Sequence, residues 1–276
     1  MQPRDQAACW DQLVNVPTPH YYESASCWLS RLALSQGTDL IDLLMFLGVT
    51  NKGDIDRELH GASLGAIRRI CNLPESALIV HERVMVGLKS MGKAGLSYLV
   101  TSRAQRPKFR FCPRCLTEMH TPHFPIHWRF IAWRWCPAHD CLLEDACPHC
   151  GGEITFPTDI ARSAAGKNGY GLLNRCLSCG GELSKVEPCY LSINGFRRVT
   201  ALEEMSLRNG RALLATLYYG RFQIKGQPGW QHPKKFRNLE RSGVLPVKFD
   251  WLRPVMIRER SNAVLTSGCS RWSGKV

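Results

Sequence analysis

Four ligand-type pairs constrain this chain more than any other feature: Cys112/Cys115, Cys136/His139, Cys147/Cys150 and Cys176/Cys179. A two-residue gap lets both side chains of a pair turn toward one ion. Two pairs complete a closed tetrahedron that leaves no position for a catalytic water. The pairs stand in the turn chemistry such knuckles need, Cys112-Pro113-Arg114-Cys115, Cys136-Pro137-Ala138-His139, Cys147-Pro148-His149-Cys150-Gly151-Gly152 and Cys176-Leu177-Ser178-Cys179-Gly180-Gly181. Proline fixes φ after the first ligand, and glycine relieves crowding after the last. The pattern predicts two structural Zn2+ ions and a scaffold rather than a catalytic centre. A disulfide framework is the alternative; paired spacing without an apolar secretory segment between Met1 and Cys9 favours metal and a cytoplasmic protein.

The pairs can combine sequentially, as Cys112/Cys115/Cys136/His139 and Cys147/Cys150/Cys176/Cys179, or in a cross-braced way that joins the first pair to the third. The sequential form is favoured. Its loops are 20 and 25 residues, and the spacer from Cys141 to Ala146 is a natural join between two compact modules. Cys141 could take the place of His139, although it stands outside the two-residue gap. Cys9, Cys27, Cys71, Cys141, Cys189 and Cys269 read as small buried hydrophobes.

The 276 residues, 44% of them hydrophobic, suffice for one large domain or two or three small ones. No apolar stretch is long enough to span a membrane, since Asp42 interrupts the best one, Leu40 to Val49. The formal charge of +13 is unevenly placed. Residues 1–100 carry nine Lys/Arg against ten Asp/Glu, residues 101–196 eleven against eight, and residues 197–260 fourteen against five. A basic rear suggests a polyanion partner, DNA or RNA, with a solvated basic surface as the alternative. Arg197, Arg198, Lys234, Lys235, Arg237 and Arg241 are the candidate nucleic-acid contacts. Aromatics interleaved there, among them Phe222, Trp230 and Phe236, can stack on bases or belong to the core.

The pattern predicts a mainly α chain with small β elements. Three parts are expected: an N-terminal helical, helix-turn-helix-like domain at 1–105, tandem zinc-ribbon-like modules at 106–190, and a basic C-terminal helical region at 191–276. Helices are predicted from Glu23 to Leu34 and from Asp39 to Phe46, broken by Gly37 and Gly48. Ser63 can cap a helix reaching Cys71, Asn72-Leu73 makes a turn, and Pro74 opens a helix to Val86, the reading element of a helix-turn-helix. Glu75 and Glu82 oppose Arg83 there, which favours protein contact or a structural use over DNA reading. Phe124 to Cys136 reads as a strand or hairpin on the metal site, with its tryptophans as core. Thr200 and Glu203 form a capping box for a last helix that Gly210 divides.

The order of these motifs resembles the TniQ family of transposition target-selection proteins. The resemblance rests on Glu23-Ser24, Ser26-Cys27-Trp28-Leu29-Ser30-Arg31-Leu32-Ala33, Cys112-Pro113-Arg114-Cys115-Leu116, Trp128-Arg129, Cys136-Pro137-Ala138-His139 with Leu142-Leu143, and Cys147-Pro148-His149-Cys150-Gly151. It covers roughly residues 15 to 181; Cys27 inside the Ser-x-Trp-Leu pattern is a small departure. The resemblance implies a non-catalytic bacterial adaptor that joins a target-recognition complex, RNA-guided in some members, to an AAA+ regulator (TnsC/TniB-like) and its transposase. Some relatives act as homodimers, and longer ones of the TnsD type bind a DNA site themselves. Catalytic patterns such as His-Glu-x-x-His, a phosphate loop or a deaminase pair are missing from the sequence.

Overall fold

The computed structural model describes residues 12–49, 53–102, 104–167, 171–190, 192–193, 196–197, 201–224, 228–236 and 238. Eight helices and six two-residue strands are found among them. The strands form three antiparallel pairs, so the chain is mainly helical with small sheets.

Helix α1 (Ala25–Gln36) begins where the Ser24 side chain accepts a bond from the Cys27 amide, and it ends where Gly37 adopts φ +61° and caps Ala33 and Leu34. A left-handed residue at that position is what glycine supplies without a Cβ penalty. All residues from Ala25 to Ser30 are buried, so α1 lies between two apolar clusters rather than on a surface. Trp28, Leu29 and Leu32 pack with Leu40, Leu43 and Leu44 of α2 (Leu40–Phe46), with Ile55 of α3 (Ile55–Glu58) and with Leu64 and Ile67 of α4 (Ala62–Ile70). Cys27 faces the larger cluster instead, where its sulfur accepts the Phe124 amide at 3.4 Å. Asp39 precedes α2 as expected but makes no cap bond, because its carboxylate pairs with Arg162.

The segment between α4 and α5 (Ile79–Ser90) departs from the sequence expectation. Pro74 does not open a helix. Pro74 to Leu78 is a turn closed by Ala77 N to Pro74 O at 2.9 Å, and Leu78 takes a left-handed φ of +57° that breaks any helix through it. Arg68 holds this turn, donating twice to the Ala77 carbonyl at 2.9 and 2.6 Å and pairing with Glu82 at 2.8 Å. Ser63 lies inside the first turn of α4, with Gly61 as the capping residue; its hydroxyl bonds to Glu58 and His60 carbonyls.

Helix α5 is followed by the short α6 (Lys93–Leu96) and then by the last helix, α8 (Ala201–Tyr219) in space though not in sequence. Val84, Met85 and Leu88 share the large cluster with Leu213, Leu214 and Leu217 of α8. The two backbones meet at Gly87, where a Cβ would stand 2.2 Å from the Leu217 carbonyl oxygen. Arg83 lies 4.9 Å over the Tyr218 ring. The expected division of α8 at Gly210 does not occur. That glycine is buried against Ala132, where a Cβ would stand 3.0 Å from the Ala132 carbonyl oxygen, so it serves close packing rather than a break. Thr200, the expected cap, lies outside the described residues.

Between the helical parts, β1 (Lys108–Phe109) pairs with β4 (Ile154–Thr155), and β2 (Trp135–Cys136) pairs with β3 (Cys141–Leu142). Most of the aromatic run from Phe124 is not strand. Ile126–Arg129 forms a single 3-10 turn between two isolated bridges, Glu23 with Pro125 and Leu99 with Phe130, and only Trp135–Cys136 forms a strand. Phe124, Trp128, Phe130 and Trp133 are nevertheless all buried in the large cluster, in edge-to-face contacts such as Phe124 with Trp128 at 5.5 Å. A turn can bury this many rings because its residues radiate to several sides at once. The remaining strands, β5 (Ser192–Ile193) and β6 (Phe196–Arg197), pair with each other. None of the described helices is long and apolar enough to cross a membrane.

Candidate metal centres

The first cluster is assembled by α7 (Pro113–Glu118) and the β2–β3 hairpin. Cys112 caps α7, accepting the Cys115 amide on its sulfur at 3.4 Å, and Pro113 fits the first helical position, where no amide proton is needed. In the hairpin, amides of His139 and Asp140 both bond to the Cys136 carbonyl, and Asp140 takes φ +51° to close the turn. The result brings His139 Nδ1 to 3.4 Å from Cys112 Sγ, 3.3 Å from Cys115 Sγ and 3.4 Å from Cys136 Sγ. Cys115 and Cys136 sulfurs are 3.5 Å apart. The imidazole nitrogen thus caps a triangle of sulfurs.

The second cluster repeats one knuckle twice. Cys147 N bonds to Gly152 O at 2.9 Å, Gly151 N to Cys147 O at 2.8 Å, and Gly152 N to Cys150 Sγ at 3.3 Å. Cys176 to Gly181 repeats it with bonds of 2.8, 2.9 and 3.4 Å. Gly151 and Gly180 have φ of +70° and +75°, which is why glycine follows the second cysteine in both. Sulfur separations are 3.8 Å for Cys147/Cys179 and 3.7 Å for Cys150/Cys176.

Metal–sulfur bonds of about 2.3 Å in a tetrahedron separate sulfurs by about 3.8 Å, and a sulfur from a ring nitrogen by about 3.6 Å. Both clusters come within a few tenths of an ångström of this, and in each the four donor atoms lie within 4.8 Å of one another. Either group could therefore hold one metal ion, in the sequential combination and not the cross-braced one. The arrangement is compatible with tandem zinc-ribbon-like modules. Protonation behaviour agrees. Hydrogen bonds, first from Cys112, draw Cys136 far below the ordinary thiol value, whereas Cys115 and Cys141, each bonded first to Cys112, are held far above it. His139 is pushed up to about 11 by Cys112 first and Cys136 next. Donors this close share protons because they cannot all ionise; a divalent cation replaces those protons.

Contacts around the clusters include several that the motifs do not mark. Glu118, at the end of α7, accepts from His139 Nε2 at 2.8 Å, which fixes the ring with Nδ1 toward the sulfurs. Arg110 reaches Asp145 at 2.6 Å and donates to the Phe130, Ile131 and Trp133 carbonyls, tying the turn to the module join. Arg129 is fully buried and makes a two-pronged contact with Asp54 at 3.0 and 2.6 Å, plus one with Asp56 at 2.9 Å. Asp56 also accepts from the Ser26 amide at 2.7 Å and hydroxyl at 2.9 Å. Arg129 inside an aromatic run, and Asp54 and Asp56 flanking a helix start, were the only available hints. Cys141 is fully buried, with its sulfur 3.5 Å from that of Cys112. Cys27 and Cys71 are buried, as expected of small hydrophobes; Cys189 is instead half-buried and disulfide-bonded.

Of the candidate nucleic-acid contacts, Lys234 and Lys235 are exposed on a 3-10 turn at Pro233–Lys235. Beside them Arg221 stacks on the exposed Trp230 at 4.3 Å, while Phe222 and Phe236 are fully buried against each other. Of these three rings, Trp230 lies at the surface and Phe222 and Phe236 belong to the core. Arg197 stands on β6. Arg198, Arg237 and Arg241 lie outside the described residues.

The TniQ family model matches residues 15–143. That span runs from the turn before α1 through the whole first cluster and stops before the second. No curated protein matches the chain.

Proposed function

We propose, from the match of the TniQ family model to residues 15–143, that this chain takes part in transposition target selection as a non-catalytic adaptor between a target-recognition complex and an AAA+ regulator. In this reading Cys112, Cys115, Cys136 and His139 hold one structural zinc ion, and Cys147, Cys150, Cys176 and Cys179 hold another. Zinc fits because thiolate and imidazole donors at tetrahedral spacing suit it best among common divalent ions. The ions act as cross-links that stiffen short loops, and every coordination position is filled by protein.

The observation that carries the adaptor reading is a contrast between two helices. α5, the helix a DNA reader would insert into a groove, is covered by α8 along Val84, Gly87 and Leu88. α2 instead leaves Ile41, Met45 and Phe46 more than half exposed on one short helix. Clustered exposed apolar side chains mark a protein-contact surface more often than a solvated one. A pull-down of zinc-replete protein with its cognate ATPase and target complex tests this. Binding is expected, and Met45→Glu with Phe46→Glu should abolish it; retention of both partners by that variant would reject α2 as the contact.

The second reading is a stand-alone DNA-site selector, favoured by the Arg221/Trp230/Lys234/Lys235 patch. Selection from random DNA separates the two. An adaptor gives only salt-sensitive, sequence-blind binding, which Lys234→Glu with Lys235→Glu weakens for all sequences alike.

A further inference from the structure

The first centre contains one donor more than a tetrahedron needs. Cys112, Cys115, Cys136 and His139 already form a complete set, yet the sulfur of Cys141, outside that set, lies against the sulfur of Cys112. Its Cα is the direct cross-strand partner of Cys136 in the β2–β3 hairpin. Opposed residues on a two-stranded ribbon project to the same side, so both sulfurs reach the cluster. Cys141 Sγ lies 3.5 Å from Cys112 Sγ, inside the separation that two ligands of one ion adopt. The residue is fully buried and held from behind: its backbone bridges Tyr190, and the Leu142 amide bonds to the Cys189 carbonyl at 2.8 Å. His139, by contrast, keeps 14% of its side chain exposed and leans outward on Glu118, itself half-exposed.

Resting on the reading that this cluster binds zinc, we propose that Cys141 is a reserve ligand of the first centre, which takes the fourth position when His139 leaves it. The centre then has two tetrahedral states, three sulfurs with one nitrogen and four sulfurs. In the exchange the Cys141 thiol gives up its proton as its sulfur–metal bond forms. The His139 nitrogen–metal bond breaks, and the freed imidazole takes that proton. Glu118 stands ready at 2.8 Å to pair with the imidazolium. No outside acid, base or oxidant is required. The ion stays in place and the net charge is unchanged, the fourth thiolate being balanced by the imidazolium beside Glu118.

The test uses the full chain. Wild type, His139→Ala, Cys141→Ser and the double variant are purified with zinc, and metal content is measured; the same proteins are then loaded with Co2+ and their sulfur-to-cobalt charge-transfer absorption is recorded. The proposal expects two ions in wild type and in each single variant. His139→Ala should show charge-transfer absorption at or above the wild-type level, although a ligand is gone, and the double variant should fall to one ion. A His139→Ala protein with one ion, or a double variant that keeps two, overturns the reserve ligand while leaving the zinc reading intact. Fewer than two ions in wild type removes that reading and the proposal with it. Circular dichroism of the double variant at saturating zinc separates loss of one site from loss of the fold: retained helix with one ion supports the proposal, whereas global unfolding of Cys141→Ser alone counts against a merely reserve role.

Discussion

Replacing Arg129 by Met should be among the most damaging single substitutions in this chain. Arg129 makes three charge-assisted hydrogen bonds to Asp54 and Asp56, and these side chains are exposed by no more than 4%. Removing the cation leaves two carboxylates in an apolar setting. Asp56 keeps its two bonds from Ser26, so the greater penalty falls on Asp54. Breaking a buried pair from one side costs roughly 3–5 kcal/mol, because the remaining charge is uncompensated. A domain of this size is stable by only about 5–15 kcal/mol, so the loss consumes a large share. Replacing the network as a whole, with Arg129→Met, Asp54→Leu and Asp56→Asn together, should bring stability back to within about 2 kcal/mol of wild type, since no orphan charge then remains. Urea unfolding of the zinc-replete chain, followed by circular dichroism and by tryptophan fluorescence, measures both. The network joins the segment around α3 to the turn between the first two ligand pairs, so both probes should shift together. A single variant that loses less than about 1 kcal/mol, or a triple variant no better than the single one, would refute the reasoning.

Three further outcomes follow from the same physics. Gly87→Ala places a methyl 2.2 Å from the Leu217 carbonyl oxygen, a backbone atom that cannot rotate away; it should cost about 1–3 kcal/mol and make α8 the first segment cut in limited proteolysis. His127 is partly buried and held neutral by that desolvation, its pKa lowered to about 4 from 6.5. The unfolded chain therefore binds a proton that the fold refuses between pH 6.5 and 4, and stability falls as pH drops through that window by up to about 3 kcal/mol. His127→Phe should flatten this part of a urea-midpoint profile relative to wild type, metal loss being common to both; parallel profiles would discount His127. A strong chelator should release two ions per chain and unfold the region from α7 to Leu183, with metal content and circular dichroism as readouts.

The donor pairs were legible because knuckle chemistry is local: from Cys147 to Gly152 a donor, a proline and a glycine at positive φ fall within six residues, and Cys176 to Gly181 repeats the glycine. The ends of α1 were legible for the same reason, through Ser24 and Gly37. Where long-range contacts decide, the sequence misled. Pro74 is a good first helical residue, but the Arg68 side chain captures the Ala77 carbonyl and holds a turn instead. Gly210 looks like a breaker, and only the approach of Ala132 explains its place inside a continuous α8. The aromatic run before Cys136 alternates enough to suggest a strand, yet Pro125 and the buried Arg129 shape it as a turn. Arg129 and its two aspartates lie some 75 positions apart, a separation at which no spacing rule operates.

The two donor clusters are more than isolated groups, because four of their cysteines are themselves core residues. Cys112, Cys136, Cys147 and Cys176 belong to the same buried cluster as Val84 and Leu88 of α5 and Leu213 and Leu217 of α8. A tetrahedral ion fixes the relative positions of two backbone segments far more tightly than apolar contacts do, since ligand distances tolerate only about 0.2 Å of change. Apolar packing then transmits that constraint, because close-packed interiors deform little. Cys27 and the Phe124 amide carry it on to α1, and Arg129 carries it to α3. Loss of metal from either cluster should therefore loosen α5 against α8 as well as the loops between ligands. Hydrogen exchange at the amides of Val84 to Leu88, compared with and without metal, measures this directly: protection that survives complete metal removal would show the helices to be held by apolar contact alone.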